Sequence, residues 1–217
     1  MNNYEFKEVF NANDFDPTDL TSNVSFTQAH FYGDWQKSLG RTVLRYVVYK
    51  NNEPVAYFQV IKYRLIRDKS YLYTPYGPVT KDKSDEFFIA IKKKLTELAK
   101  AHKAVFVRLD FTPRVNNETQ SKFFKKSPLY TYHSAYFQPR FEWYLALDKP
   151  KEDLLKNMHE KTRYSIRLGE KRGAIPEIIT ENFEPYFDRF YELMDITARR
   201  NGFSIHDKAY YKNIFES

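Results

Sequence analysis

The chain contains no cysteine, which removes disulfides, thiolate zinc sites and a cysteine nucleophile, and fits a reducing compartment. Glycine is scarce. Its six residues, at positions 33, 40, 77, 169, 173 and 202, are too dispersed for a phosphate-cradling loop, and neither the P-loop nor the dinucleotide-binding glycine pattern occurs. The glycine turn that seats acyl-CoA in acetyltransferases is missing too. From Val79 the chain runs through Lys81, Asp82, Lys83 and Ser84 without a glycine, which argues against acetyl-CoA. The five histidines, at 30, 102, 133, 159 and 206, form no HExxH or other tight pair, so no metal site is indicated. No serine sits in a nucleophile elbow. There is no run of about 18 apolar residues and no signal-peptide core behind Met1. The sequence reads as a cytoplasmic chain, at most peripheral to the inner face of a membrane.

What is present is a chain of 217 residues, 42% hydrophobic and 29% charged, long enough to bury a core in one large domain or two small ones. Aromatic residues reach 18%, with 18 Tyr and 19 Phe; such side chains stiffen cores and also line pockets for sugars, peptides and bases. The net charge of +7 favours anionic partners: nucleic acid, nucleotide-linked substrates or an acidic membrane face.

Along the first half, residues 27–39 predict a short helix with Trp35 and Leu39 inward, stopped by Gly40. Residues 41–49 and 54–63 alternate as strands around Lys50, Asn51, Asn52 and Glu53, which predicts a hairpin. A strand over 71–79 is broken by Pro75 and Gly77; a break of that kind marks a bulge or a close backbone approach to a ligand. Residues 85–102 form an amphipathic helix pattern with Phe88, Ile91, Leu95, Leu98 and Ala99 inward, and 103–111 a buried strand. Hairpin, strand, helix and strand in that order give an α/β unit with a mixed sheet.

The second half begins with an aromatic strand over 141–147, closed by Asp148, Lys149 and Pro150. A long helix from Lys151 then has Asp148 as its N-cap candidate and Pro150 in its first turn. At about 100° per residue, Leu154, Leu155, Met158, Thr162 and Ile166 share one face, while Lys156, Arg163, Arg167 and Lys171 share another, interrupted only by Glu160. A solvated face is the plainer reading of a lone charge stripe, and an anion site the functional one. A last long helix over 183–200 is capped by Asn182, carries Pro185 in its first turn and stops at Asn201 and Gly202; residues 204–217 read as a turn and another helix start. No strands follow. A second α/β unit without its sheet suggests a chain cut short at its C-terminus, the alternative being a complete domain with a helical tail.

Gln138, Pro139 and Arg140, then the run from Met158 through Arg163 to Arg167 with Gly173 closing the helix, resemble the FemABX family of peptidoglycan bridge aminoacyltransferases. Thr197 to His206, followed by Tyr210 and Tyr211, resembles the family's next block. Upstream, Thr27 and Gln28, the helix end from Trp35 to Gly40, Tyr76 to Val79, and Arg108 to Asp110 stand in the matching order, so the resemblance covers almost the whole chain. It implies tandem GNAT-like domains with mixed sheets, here a first over 1–137 and an incomplete second over 138–217, with a substrate cleft between them.

The activity so implied is transfer of an amino acid of Gly, Ala or Ser type from aminoacyl-tRNA onto the stem-peptide lysine of lipid II or of UDP-MurNAc-pentapeptide. No other cofactor is implied. By the same resemblance Lys37, Ser204, His206 and Tyr210 fall at or near positions that contact the precursor's phosphates and sugars, with Gln36 an alternative to Lys37 in register. Some relatives carry Arg at the place of His206, so that contact is weaker here and pH-dependent. Ser204 reads equally as a helix N-cap and Tyr210 as core. The candidate phosphate or tRNA contacts are Lys156, Lys161, Arg163 and Arg167. The family's chemical residues lie in later strands, beyond Ser217, so no catalytic residue is named and residues 1–217 alone are expected to be inactive. Two rival classes remain: a non-enzymatic RNA-binding module using the basic helix, and another GNAT-like acyltransferase with its own acyl donor.

Overall fold

A computed structural model describes residues 4–22, 24–110, 143 and 145–216. The chain divides into two compact units, Met1–Gln138 and Pro139–Ser217.

The first unit is built on a six-stranded mixed sheet: β1 (Tyr4–Glu8), β2 (Thr42–Lys50), β3 (Glu53–Arg64), β4 (Ser70–Thr74), β5 (Val79–Thr80) and β6 (Ala104–Leu109). The order is β1-β2-β3-β4-β6, with β5 also on β3; all pairs are antiparallel except β4 with β6. The predicted hairpin forms because Asn51 and Asn52 both accept left-handed backbone, at φ 53° and 65°, the geometry that matches the twist of the flanking strands. Helix α1 (His30–Ser38) follows a short 3-10 turn at Phe26–Gln28. Helix α2 (Asp85–Ala101) starts where Ser84 Oγ accepts from Phe87 N–H at 3.3 Å.

Alternation along the strands decides the core. Tyr46, Val48, Ala56, Phe58, Val60 and Leu72 meet Phe88, Ile91, Leu95 and Leu98 of α2, the inner face predicted for that helix apart from half-buried Ala99, and Phe87 joins them unpredicted. Val47, Tyr57 and Val79 point to the opposite face, where Val9 and Leu20 cover them. The predicted break in the third strand is a gap in one ladder. β3 pairs with β4 through residues 61–64 and with β5 through 56 and 57, and the chain from Pro75 to Pro78 leaves the sheet between them. In α1 the inward residues are His30, Gly33 and Gln36; Trp35 and Leu39, expected inside, are only half-buried. Of the strand predicted over 103–111, β6 is largely half-buried rather than interior, with β4 as its one neighbour among the described residues.

The second unit contains α3 (Lys151–Asn157), α4 (Glu160–Lys171), α5 (Glu184–Asn201) and α6 (Lys208–Glu216). The long helix predicted from Lys151 is therefore two helices. Met158 takes extended backbone at φ −78°, ψ 152°, and His159 restarts the helix by accepting from Lys161 N–H at 3.2 Å on Nδ1. Asp148 is not the first cap; Pro150 stands there without a side-chain bond. Asn182 does not cap α5 either. It sits in left-handed backbone at φ 54°, and Phe183 takes the cap position. Gly202, at φ 70°, stops α5 as predicted. Of the strand predicted over 141–147, Trp143 and Leu145 to Leu147 are exposed and unpaired in any ladder, there being no sheet among the described residues of this unit; Phe141, Glu142 and Tyr144 lie outside the described residues. So do Gln138, Pro139 and Arg140. Among the described residues no helix is long and apolar enough to cross a membrane.

Candidate functional site

In the second unit, the turn between α5 and α6 is pinned at both ends. Phe203 N–H donates to Ala198 O at 3.1 Å, closing α5, and Asp207 Oδ1 accepts from Tyr210 N–H at 2.8 Å, opening α6. Tyr191 of α5 donates its hydroxyl to His206 O at 3.3 Å. This frame holds the His206 and Tyr210 rings stacked, centroids 3.9 Å apart at 27°. His206 is exposed, Tyr210 half-buried and Ser204 exposed two residues earlier. The cap of α6 is thus Asp207 and not Ser204, whose hydroxyl is left at the surface, while the core of this corner is Phe215 against Phe183, Phe187 and Phe190, at 5.3 to 5.5 Å. Such an arrangement offers a ring nitrogen and two hydroxyls beside a flat aromatic surface, chemistry suited to a phosphorylated sugar. Lys208 and Lys212 of the same helix line a separate hollow of about 420 Å³ with Phe183 and Phe187, and Lys208 is paired there with Asp188 at 2.7 Å.

The basic stripe is reorganised by the break at Met158. Lys156 belongs to α3, while Lys161, Arg163 and Arg167 belong to α4. Arg163 is half-buried and turned inward: its Nη1 donates to Lys156 O at 3.3 Å and also to Met158 O. It satisfies carbonyls orphaned by the end of α3, so it acts as a latch between the two helices. Lys156, Lys161 and Arg167 remain at the surface.

Lys37, in the first unit, is exposed on α1 with Nζ 3.6 Å from Asp34. Gln36 beside it is buried; it accepts from Arg41 and from Tyr63 OH, the latter at 3.2 Å. Of the two registers, Lys37 is the one that faces solvent. Beneath α1 lies a polar interior that sequence reading missed. Arg45, 2% exposed, donates from Nη2 to His30 O at 2.9 Å and to Asp34 Oδ1 at 2.7 Å. Burial pushes Asp34 up, but the hydrogen bond and charge of Arg45 outweigh it and hold the carboxyl below its ordinary value. Gln28 fills the gap in the ladder: its Oε1 accepts from Gln59 N–H at 2.9 Å and its Nε2 donates to Pro75 O. A Cβ at Gly77 would lie 2.8 Å from Gln28 Nε2, and one at Gly33 only 2.3 Å from Gln59 Oε1, so both glycines are required by close approach. Arg45 lies directly opposite Gln59, a pairing of two inward polar residues that exists only once the strand register is set. Among the described residues, no group of three or more His, Asp or Glu is placed to hold a metal.

The FemAB family model matches residues 124–217, the stretch that carries the His206 and Tyr210 stack. Lipid II:glycine glycyltransferase of Staphylococcus aureus is 29% identical over 156 residues, which are 67% of this chain. Over residues 124–217 the chain is therefore similar to the FemAB family. The crystal structure of FemX superposes on 97% of this chain with a TM-score of 0.71 at 23% identity, which shows a shared mixed α/β fold. The aligned part spans 35% of the glycyltransferase, and the superposed part 54% of the FemX chain.

Proposed function

We propose that this protein serves in building the peptidoglycan interpeptide bridge, by transfer of an amino acid of Gly, Ala or Ser type from aminoacyl-tRNA to the stem-peptide lysine of lipid II or UDP-MurNAc-pentapeptide. The observation that carries the reading is the pinned His206 and Tyr210 stack, inside the stretch the FemAB model matches. The activity itself comes from the glycyltransferase relative. In the reaction the neutral lysine amine attacks the ester carbonyl; the new N–C bond forms, the ester C–O bond breaks, the tRNA ribose hydroxyl leaves with a proton, and the amine loses one. No residue of this chain is assigned to those proton transfers.

What these residues supply is acceptor binding. Ser204, His206 and Tyr210 are assigned to the precursor's phosphates and sugar, with Lys37 as a further contact, and Lys156, Lys161 and Arg167 to phosphate of the precursor or the tRNA. Arg163 holds the helices that present them. The test is calorimetric titration with UDP-MurNAc-pentapeptide, with acetyl-CoA and unacylated tRNA alongside. Saturable heat with the muramyl peptide and none with acetyl-CoA is expected. Absence of muramyl-peptide binding together with tight, salt-sensitive tRNA binding would replace this reading with an RNA-binding module.

A further inference from the structure

The tip of the β3–β4 hairpin is apolar and bare: Ile66 is 82% exposed and Leu65 38%. It is an ordered loop. Leu65 N–H donates to Lys69 O at 2.7 Å, and Arg67 and Asp68 take left-handed backbone at φ 55° and 57°. Arg64, Arg67 and Lys69 ring the tip, all exposed.

Strand register gathers more cations at the same end of the sheet. Lys62 pairs with Thr42, Arg64 with Ser70, and Ser70 with Ala104. Ser70 Oγ donates to Lys103 O at 3.5 Å, which brings exposed Lys103 and the last turn of α2, with Lys100, beside the hairpin. Between Glu53 and Asp82 the sole acid in the sequence is Asp68. Among the described residues none of Arg64, Arg67, Lys69, Lys100 and Lys103 makes an ion pair. The segment from Glu8 to Gln36 is the reverse: it holds Glu8, Asp14, Asp16, Asp19 and Asp34 and no lysine or arginine.

We propose that the β3–β4 hairpin docks the first unit on an anionic lipid bilayer, with Ile66 and Leu65 entering the interface and Arg64, Arg67, Lys69, Lys100 and Lys103 meeting acidic headgroups. Exposed aliphatic side chains ringed by cations gain from a bilayer both apolar burial and attraction to anionic lipid. A polynucleotide offers the cations the same charge but gives the tip nothing. Nor are the nearby rings a stacking platform: Tyr63, Tyr71 and Phe106 turn their faces to one another, at 5.3 and 4.9 Å, and Arg41 lies 4.5 Å over Tyr63. Docking stands on the hairpin's own chemistry and is independent of the acceptor assignment.

The experiment is flotation of the whole chain with phosphatidylcholine vesicles, with and without phosphatidylglycerol, none containing a peptidoglycan precursor. Binding is expected only to the anionic vesicles and should weaken with added salt. Each cation removed should lower partitioning about fivefold, so the paired Arg67→Ala and Lys69→Ala changes should cost on the order of 25-fold. Ile66→Asp should cost about tenfold, while Ile66→Leu should retain binding; circular dichroism and muramyl-peptide affinity should be unchanged in all of them. Equal partitioning onto neutral and anionic vesicles, or undiminished binding by Ile66→Asp, would overturn the proposal. So would tRNA binding lost with Arg67 and Lys69 in a chain that ignores vesicles, which would make the hairpin an RNA contact.

Discussion

The two units handle the same aromatic-rich composition in opposite ways. In the first, the sheet face under α2 takes Phe58, Phe87 and Phe88 to 1% exposure or less, and the opposite face buries Tyr57 fully. In the second, among the described residues, Phe187 and Ala198 are the buried apolar ones, while Leu193, Ile196, Phe203 and Phe215 stay 44 to 49% exposed. A sheet offers a continuous apolar face for a helix to cover, whereas short helices meeting at corners cover one another only in part. Stability is expected to reside in the first unit and ligand contact on the open surface of the second.

The sharpest test of that contrast is a matched pair of truncations. Phe88→Ala should cost about 3–5 kcal/mol, read by urea unfolding, while Phe215→Ala, already half-exposed, should cost less than about 1.5 kcal/mol. Equal losses would break the contrast. Next, Arg45→Ala removes the donor shared by His30 O and Asp34 and should cost about 2–3 kcal/mol.

A smaller effect depends on pH. Burial pushes Asp82 up, but hydrogen bonds from Lys50, Ser84 and Tyr4 outweigh it and hold its carboxyl well below the carboxylate range. A depressed carboxylate stabilises the fold above its unfolded value and loses that contribution as pH falls through the folded one. Asp82→Asn should therefore destabilise by on the order of 1 kcal/mol at neutral pH, and the difference from the parent should shrink in acid. A constant difference across the acid range would rule out this linkage. Smallest of all is the latch. Arg163→Ala should loosen the α3–α4 junction by about 1 kcal/mol, visible as faster amide exchange at Met158 to Arg163, whereas Arg167→Ala should stay within about 0.5 kcal/mol of the parent.

Local patterns carried the first unit's elements into view from sequence. Asn51 and Asn52 between alternating strands specify the hairpin, and the spacing from Phe88 to Leu98 specifies α2. The polar interior was not legible, because Arg45, Gln59 and Gln28 meet only once register and the α1 approach are set. In the second unit, helical periodicity runs unbroken through Met158 and His159, and a histidine N-cap is too weak a signal to announce the break; Arg163 consequently looked like a surface cation. Ser204, His206 and Tyr210 were named by resemblance. Their four-residue spacing between His206 and Tyr210 did not reveal the stack, since His206 lies outside α6 and is placed there by Asp207 and Tyr191.

The central claim is that this stacked corner holds a peptidoglycan precursor, and the most direct test is the affinity for UDP-MurNAc-pentapeptide of the parent, His206→Ala and Tyr210→Ala chains. Saturable binding by the parent, weakened on the order of tenfold or more in each variant with folding intact, is the predicted result. No binding by the parent, or equal affinity in all three, would contradict it.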